Sequence, residues 1–347
     1  MRQYFPVKAK LPRFSKLLFV ALILLAFFVP TPYVLLSPGT PQNILTSAIS
    51  ISGAEVFPSK GKLSVTSVMV TNPDSYMTGF DILYGWARGE QAVLPRVEIY
   101  PEDESTAEST KQGAVDMQQS QVNATAAALT LLGYKGESKL LVNSINDKTD
   151  AVNKLKIEDQ LIAVEAISLT SATQLIDFLE SKKPGDILNL TVLRGTSENL
   201  LQVQIKLSAR DDGSAFIGIN IETQQEFPIA VKIKLDETGG PSGGLIFALG
   251  IIEKLGSEDL LRGRNIAGTG TITDTGRVGP IGGITEKIIG AKKAGVQIFL
   301  APIDNCSDIS SPDLFKGIQI VPVATLTQAL SVLRAPDGAK LASCPVN

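Results

Sequence analysis

The 347-residue sequence contains no histidine. This absence excludes every catalytic set in which histidine takes the proton of a serine or cysteine, and it removes the commonest protein ligand of zinc. Any nucleophile in this chain therefore needs another kind of base. Thiols are also scarce, because Cys306 and Cys344 are the two cysteines. Two thiols make a weak metal site, so we expect neither a metal nor another cofactor.

Strong net charge and a nucleotide-binding loop are missing as well. The net charge of −3 gives no sign of a basic surface for nucleic acid. The pattern G-x-x-x-x-G-K-[S/T] does not occur in the sequence, which argues against an ATP site of the Walker type. We therefore expect neither nucleic acid nor nucleotide among the partners.

Charge is distributed unevenly at the N-terminus. Basic residues without any acidic residue precede position 17, at Arg2, Lys8, Lys10, Arg13 and Lys16. Residues 17–36 then form a stretch of 20 residues without a charge. A helix needs ~20 apolar residues to cross a bilayer. Basic flanks stay in the cytoplasm. We therefore expect a cytoplasmic tail at 1–16, a transmembrane anchor at 17–36 and an extracytoplasmic location for the remainder.

A cleaved signal peptide is the alternative for this segment. Its apolar part would end before Pro30, but no small-x-small cleavage site follows and no cysteine is placed for lipid attachment. A retained anchor is favoured, with Pro30 and Pro32 near its outer end, where a helix can stop. An extracytoplasmic location also permits a disulfide between Cys306 and Cys344, the alternative being two free thiols.

The pattern of residues 37–133 predicts an extracytoplasmic α/β region, and the sequence does not indicate its role. Residues 63–70 alternate apolar and polar side chains over half their length, as a half-buried strand does. Residues 101–112 are acidic and rich in Ser and Thr, which predicts an exposed loop. Residues 115–132 have an Ala-rich helical pattern that Gly133 ends.

Residues 134–208 predict the order strand, short helix, strand, helix, turn, strand, strand. This order resembles a PDZ domain, and the matching segments are LKIEDQLIAV at 155–164, KPGD at 183–186 and LTVLR at 190–194. The resemblance implies a β-rich domain that binds a peptide as an added strand. The alternative is a domain that serves only for packing.

Two positions depart from the PDZ pattern. Glu158 stands where the family usually has glycine before aspartate. The loop expected to hold a peptide carboxylate before the first strand is poorly formed, and residues 134–137 (YKGE) are the nearest candidate.

Residues 209–347 alternate between predicted strands and helices. Strand patterns at 229–235 and 296–301 are interleaved with helical patterns at 245–255 and about 284–294. This alternation indicates an α/β domain.

A single serine, Ser242, lies within the glycine-rich stretch GGPSGG at 239–244. Glycines let the backbone turn sharply and a substrate approach closely. The apolar helix that follows offers free N–H groups and a positive dipole end. These features suit a nucleophile whose oxyanion is held by the backbone at Pro241 and Ser242. Serine is also a good helix N-cap, and this stretch alone does not decide between the two roles.

Without histidine, a lysine that burial keeps neutral can activate a serine. At about 100° per residue, Lys287 falls on the helix face of Ile284 and Ile288. The opposite side holds Thr285, Glu286, Lys292 and Lys293. This placement allows the Lys287 amine to face the interior or a cleft. The alternative is that its side chain extends along the surface.

Three short stretches resemble the signatures of the Lon-type protease domain, in the family order and at near-family spacing. They are GPS at 240–242, GTG at 268–270 and GGITEK at 282–287, within a resemblance that covers about 225–335. The resemblance implies a Ser-Lys dyad with Ser242 as nucleophile and Lys287 as general base. It also implies that Thr269 hydrogen-bonds near the lysine, the alternative being an ordinary turn threonine.

One position departs from the ATP-dependent Lon enzymes. They often carry Asp three residues before the serine, where this chain has Gly239. Asp236 and Glu237 are near but out of register.

The order of anchor, PDZ-like domain (134–208) and protease domain (209–347) resembles membrane-anchored bacterial PDZ-Lon proteases. That resemblance implies a multidomain, ATP-independent serine endopeptidase that acts on unfolded or mislocalised extracytoplasmic or membrane proteins. Lon-type domains often form rings, which suggests a homo-oligomer by analogy. The alternative is a non-catalytic, membrane-anchored PDZ scaffold or peptide-binding protein.

Overall fold

The computed structural model describes residues 13–101, 104–170, 172–195, 200–210, 213–235, 239–309, 315–336 and 338–344. The chain divides into two compact units. We call the first the split unit, because it combines Met1–Leu132 with Ile229–Asn347. The inserted unit is Gly133–Pro228. Residues 1–12, with three of the basic residues of the predicted cytoplasmic tail, lie outside the described residues.

The helices of the described chain have the following bounds: α1 Arg13–Phe28, α2 Gly79–Arg88, α3 Arg96–Ile99, α4 Thr106–Leu131, α5 Ala172–Glu180, α6 Gly244–Leu255, α7 Ile284–Lys293 and α8 Leu326–Arg334. Two 3₁₀ turns cover Asp150–Asn153 and Ile303–Asp308.

The strands of the described chain are β1 Pro30–Thr31, β2 Tyr33–Pro38, β3 Gln42–Asn43, β4 Ile49–Ser52, β5 Lys62–Val65, β6 Val68–Val70, β7 Met77–Thr78, β8 Ala92–Pro95, β9 Glu137–Ile145, β10 Gln160–Val164, β11 Ile167–Ser168, β12 Ile187–Leu193, β13 Leu200–Lys206, β14 Ser208–Ala209, β15 Ala215–Phe216, β16 Ile219–Glu226, β17 Ala230–Ile233, β18 Asn265–Gly268, β19 Thr271–Ile272, β20 Val278–Gly279, β21 Ile298–Pro302 and β22 Gln319–Val323.

The main sheet of the split unit has the strand order β22-β21-β18-β5-β3. Its first four strands are parallel, and β3 is antiparallel to β5. Between β17 and β22, strands and helices alternate along the chain as predicted, so the expectation of an α/β architecture is confirmed.

The region predicted at 37–133 belongs to this same unit. Its strand β5 pairs in parallel with β18, with Val65 opposite Gly268. Thr66, directly after β5, is buried and donates from Oγ1 to Gly268 O at 3.0 Å. The strand predicted at 63–70 is divided, because Thr66 and Ser67 separate β5 from β6. This region therefore completes the sheet whose end carries Thr269.

Helix α6 is buried on all its faces, as its apolar sequence predicts. Every residue from Gly244 to Glu253 is buried. A Cβ on Gly250 would lie 2.5 Å from Ile44 Cδ1, so this glycine permits a close approach to the N-terminal region. The burial fixes the start of the helix, next to Ser242, in the core of the unit.

The expectation of one continuous helical span at 17–36 is wrong. Helix α1 ends at Phe28, and β1 and β2 follow it. Pro30 and Pro32 stop the helix because proline lacks an N–H and clashes with the preceding turn. Val34 and Leu36 are buried in a core cluster. None of the helices formed by the described residues is long and apolar enough to cross a membrane.

The predicted exposed loop at 101–112 is wrong from residue 106 onward, where α4 begins. Ser105 Oγ accepts from Glu108 N at 3.3 Å, and the Glu108 carboxylate accepts from Ser105 N at 3.0 Å. This reciprocal pair is a capping box, which starts a helix. The predicted helix at 115–132 is the C-terminal part of the same α4.

The inserted unit contains a sheet in the order β13-β12-β10-β9-β16, with β11 paired to β10. The predicted succession of strands and helices is present, with the 3₁₀ turn Asp150–Asn153 in place of the predicted short helix and α5 as the second helix. The last strand, β16, lies beyond the predicted boundary at 208 and is antiparallel to β9. The inserted unit therefore continues to Pro228, because β16 completes its sheet.

Candidate active site

Ser242 lies in the turn that leads into α6 and is partly exposed. Gly240, two residues earlier, has a φ of +88°, a conformation that glycine adopts without strain. The N-cap of α6 is Gly243, and no side chain caps this helix end. Ser242 therefore does not serve as the cap, which was one of the two roles that its sequence context allowed.

The main chain of Ser242 is held by the loop that follows β18. Its carbonyl oxygen accepts hydrogen bonds from Gly270 N at 2.7 Å and from Thr269 Oγ1 at 3.0 Å. Leu245 N donates to Gly270 O at 3.1 Å. These three bonds fix the start of α6 against the end of a sheet strand.

Lys287 lies in the first turn of α7 and reaches the same loop. It is 3% exposed, and its Nζ donates to Thr269 Oγ1 at 3.3 Å. Thr269 is itself fully buried. The prediction that the lysine amine faces the interior is confirmed, and the surface alternative is wrong.

Thr269 links the lysine to the main chain of Ser242. Its hydroxyl accepts from Lys287 Nζ and donates to Ser242 O. Among the side chains that the structure describes, Ser242 Oγ and Lys287 Nζ do not hydrogen-bond to each other directly. Hydrogen bonds of this kind are often long without substrate and shorten in its presence.

Burial lowers the pKa of Lys287 from 10.5 to about 8, and the charge of Glu286 opposes part of this shift. Desolvation disfavours the ammonium form because a charge loses its hydration in the interior. A lysine with this pKa is largely neutral in mildly alkaline solution, whereas a solvated lysine is protonated. The amine can therefore accept a proton.

Glu286 is buried as well, so its predicted place on the solvated side of α7 is wrong. Burial raises its pKa, and the charge of Lys287 opposes that shift. Glu286 is buried because two strands lie close to the start of α7. A Cβ on Gly283 would lie 2.8 Å from Val68 Cγ1 and 3.5 Å from Leu36 Cδ2, so β6 and β2 lie close to the start of α7, near the Glu286 carboxylate.

The backbone donors near Ser242 differ from the predicted pair. Pro241 has no N–H, so its predicted role as an oxyanion donor is wrong. Its carbonyl oxygen accepts from Ser120 Oγ at 2.8 Å. The N–H groups of Ser242 and Gly243 donate to no other residue in the part of the chain that the structure describes.

Helix α4 supports the Ser242 turn, which the sequence did not indicate. Besides the Ser120 bond, Gly113 O accepts from Gly240 N at 2.8 Å. Asn123 Nδ2 donates to Ile272 O at 3.2 Å. Gly113 was the signal in the sequence that could have indicated this contact, since a glycine within a helix often marks close packing.

A disulfide joins Cys306 and Cys344. The adjacent Asn305 is buried and holds Ile281 at both backbone groups, accepting from its N and donating to its O, each at 2.9 Å. Ile281 precedes α7 by three residues. The disulfide-bonded turn therefore supports the segment that leads into the helix of Lys287.

Some predicted features fall outside the described residues. They include Asp236 and Glu237, the acidic residues out of register with the Lon pattern. Within the described chain, no three or more Cys, Asp or Glu side chains are grouped so that they could hold a metal ion.

The inserted unit places its peptide-binding candidates differently from the sequence prediction. Residues 134–137 lead into β9, which lies between β10 and β16 rather than at a sheet edge. The described edge strand on this side is β16, and Gly218 precedes it with a φ of +90°. Strand β9 pairs with β16 along its length and with β10 at Leu140 and Leu141, so the carboxylate loop at 134–137 stays a prediction.

Two family models match parts of the chain. Residues 212–334 match the Lon protease (S16) C-terminal proteolytic domain, and residues 115–207 match the PDZ domain. The PDZ match begins within α4 and ends before β16.

Curated relatives are Lon proteases. The Lon protease of Chloroflexus aggregans is 29% identical over 164 residues, covering 43% of this chain and 20% of the relative. Lon protease 2 of Herpetosiphon aurantiacus is 33% identical over 150 residues, covering 41% of this chain and 18% of the relative. The chain thus spans about a fifth of the length of these relatives.

Solved PDZ domains are also similar. That of an SdrC-like protein from Listeria monocytogenes is 29% identical and covers 24% of this chain and 85% of that domain. The TM-score is 0.23. The family matches carry the assignment: this chain contains a Lon-type proteolytic domain and a PDZ domain, and these findings support a serine peptidase.

Proposed function

We propose that the protein is a serine endopeptidase that works without ATP, with Ser242 as nucleophile and Lys287 as general base. One observation carries the proposal. In a chain without histidine, a buried lysine with a pKa lowered to about 8 contacts Thr269, which in turn contacts Ser242.

The reaction begins when neutral Lys287 Nζ takes the proton of Ser242 Oγ as that oxygen attacks the peptide carbonyl. The carbonyl oxygen becomes negative and is held by the N–H groups of Ser242 and Gly243, at the positive end of the α6 dipole. The lysine ammonium then gives its proton to the leaving amine. The C–N bond breaks, and the substrate acyl group remains as an ester on Ser242.

Deacylation repeats these steps with water. Lys287, neutral again, takes a proton from water, whose oxygen attacks the ester. The tetrahedral intermediate releases the acid product, and Ser242 Oγ regains its proton from Lys287. Thr269 is a positioning residue in both steps, since it holds the amine next to the Ser242 main chain.

The substrates we propose are unfolded or mislocalised extracytoplasmic or membrane proteins. No Walker-type phosphate loop occurs in these 347 residues, so a chain that is already unfolded is the fitting substrate. The inserted unit would bind a polypeptide segment as a strand added to β16, by main-chain hydrogen bonds. A ring-like homo-oligomer is part of the same proposal.

We further propose a membrane location, with the N-terminus in the cytoplasm and the bulk of the protein outside it. The support is the basic composition of residues 1–16 and the apolar sequence of α1, whose side chains are exposed. Basic segments next to apolar ones stay on the cytoplasmic side.

The test uses the full chain in a mild detergent, with fluorescein-labelled casein and no nucleotide. A protein that starts at residue 37 is unsuitable, because it lacks Val34 and Leu36 of the core. We expect cleavage that added ATP and magnesium do not accelerate, and no cleavage of a stably folded protein. Strict dependence on ATP would contradict the ATP-independent mechanism.

A non-catalytic peptide-binding scaffold is the competing function. It predicts that casein peptides bind while no cleavage occurs, either in detergent or in vesicles. The presence of Ser242, Thr269 and a buried Lys287 argues against it, because peptide binding does not require a desolvated amine hydrogen-bonded to the threonine that holds the Ser242 main chain.

Replacing Thr269 by valine is expected to lower kcat roughly 10- to 100-fold, since the amine loses its positioning partner. The Thr269 oxygen also stabilises the ammonium form, so the acid limb of the pH–kcat/KM profile should move to lower pH. Thr269→Ser keeps the hydroxyl and should restore both properties. Equal loss in the serine and valine variants would contradict the positioning role.

Replacing Ser120 by alanine is expected to lower kcat about tenfold with little change in KM. The loss of one hydrogen bond costs about 1 kcal/mol, and the freed Pro241 carbonyl lets the Ser242 turn move. Ser109→Ala on the same helix is the matched control and should be fully active. An unchanged kcat in Ser120→Ala would show that α4 only adds stability.

A further inference from the structure

From Leu17 onward, helix α1 is apolar, and the side chains that the structure describes there are exposed on every face. The large apolar side chains from Phe14 to Phe27 that the structure describes as exposed range from 41% to 76% in exposure. They include the consecutive residues 17–20, which point in four directions about 100° apart. A helix that is apolar all round is normally buried in a core or in a membrane.

This apolar surface continues onto α2. The rings of Phe27 and Phe80 stack with centroids 4.7 Å apart, and Phe80 stacks on Tyr84 at 6.2 Å. Leu83 is 61% exposed and Trp86 75%. Aromatic and aliphatic side chains therefore extend from the C-terminal end of α1 along the outer face of α2.

The orientation of α2 is fixed by its other face. A Cβ on Gly85 would lie 2.8 Å from Leu35 Cδ2, so α2 packs closely on β2 at that point. Its N-terminus is held by a capping box between Thr78 and Asp81. The outward direction of Leu83 and Trp86 is thus set by the fold of the split unit.

A lipid bilayer fits this surface better than a protein does. A second copy or another protein would cover one side of α1, whereas a lipid medium covers all of its faces. Tryptophan and tyrosine are the residues enriched where lipid chains meet water. The basic residues at the other end of the segment suit anionic headgroups.

We propose that α2 lies in the headgroup boundary of the bilayer that receives α1, with Trp86 among the lipids. This interface holds the split unit against the membrane surface, so that the Ser242 site works close to membrane-associated chains. The proposal rests on the membrane location proposed above and adds a second contact that the N-terminal segment alone does not require.

Trp86 reports on this interface directly, because it is the single tryptophan of the chain. The full chain is reconstituted into phosphatidylcholine–phosphatidylglycerol vesicles, and flotation measures binding. Iodide and brominated lipids are then compared as quenchers. We expect a blue-shifted emission, several-fold weaker quenching by iodide than for free N-acetyltryptophanamide, and strong quenching by brominated lipids.

A charged variant tests the face itself. Leu83→Lys should still float but should expose Trp86 to iodide, whereas Ile303→Lys, which changes an exposed apolar residue in a 3₁₀ turn, should behave as wild type. Failure to float contradicts both the membrane location and the interface. If the wild-type protein floats but iodide quenches Trp86 as strongly as the free compound, the α2 interface is contradicted and the membrane location is not. Protection that disappears when the protein-to-lipid ratio is lowered assigns this face to a second copy instead.

Discussion

Ser242→Ala is expected to lower kcat/KM for casein by at least about 10⁴-fold, because the oxygen that attacks the peptide carbonyl is removed. The free energy of unfolding should change by less than about 0.5 kcal/mol. Ser242 caps no helix, whereas the loss of a serine cap typically costs about 1 kcal/mol.

Ser257→Ala is the matched control for this variant. Ser257 is exposed shortly after the C-terminal end of α6, so its replacement should leave both activity and stability unchanged. Cleavage of casein by Ser242→Ala at more than a few per cent of the wild-type rate would mean that the nucleophile lies elsewhere. A marked loss of stability would instead favour a structural role for this serine.

Lys287→Met is expected to abolish cleavage, because it removes the amine that reaches the Ser242 loop through Thr269. Wild-type kcat/KM should rise with pH through an apparent pKa near 8, the value to which burial lowers the pKa of Lys287. Any residual cleavage by the methionine variant should lack this limb. Lys293→Met, on the exposed end of the same helix, should keep the wild-type profile.

The same variant should be more stable than the wild type at neutral pH. The pKa of Lys287 is about 8 when folded and 10.5 in an ordinary setting, so folding releases a proton between these pH values. The free energy of unfolding of the wild type therefore rises from pH 8 to pH 10.5. Below pH 8 it is lowered by the full cost of burying the charged amine. Removing the amine therefore relieves a cost of about 3 kcal/mol. The hydrogen bond to Thr269 that is lost with it contributes about 1 kcal/mol.

The pH dependence distinguishes this effect from better packing. The stability advantage of Lys287→Met in urea unfolding should shrink above pH 8 and disappear near pH 10.5. An advantage that stays constant with pH would contradict the burial of a titrating amine. A variant less stable than wild type at pH 7 would show that Lys287 is charged and well paired in the folded protein.

The relation of Ser242, Thr269 and Lys287 was predictable because the three stretches that carry them resemble the signatures of the Lon-type protease domain. Each residue lies in a short glycine-containing stretch, and the inward direction of Lys287 follows from helical periodicity. The catalytic roles remain predictions, but the proximity of Thr269 to both other residues is observed.

The supporting structure was not predictable from local patterns. Strand β5 pairs with β18 across some 200 residues of sequence, and α4 reaches the Ser242 turn through Ser120. Periodicity within a short window contains no information about such long-range partners. The same limitation explains Glu286, whose side of α7 looked solvated until β2 and β6 were seen to lie close to the start of the helix.

Strand β16 shows a second limitation. It lies after residue 208, the predicted end of the PDZ-like domain, so the sequence did not indicate that it completes the sheet beside β9. By contrast, the capping box at Ser105 and Glu108 was readable in the sequence. The acidic composition of residues 101–112 outweighed it, although composition is a weaker signal than a capping pattern.

The most direct test of the Ser242–Lys287 pair is covalent labelling of the full chain with a fluorophosphonate across a pH series, with the modified residue identified by peptide mass analysis. We predict that Ser242 alone is labelled, that the rate rises with pH through about 8, and that Lys287→Met is not labelled. Labelling of a different serine, or labelling of Ser242 at a rate independent of pH and of Lys287, would contradict the dyad.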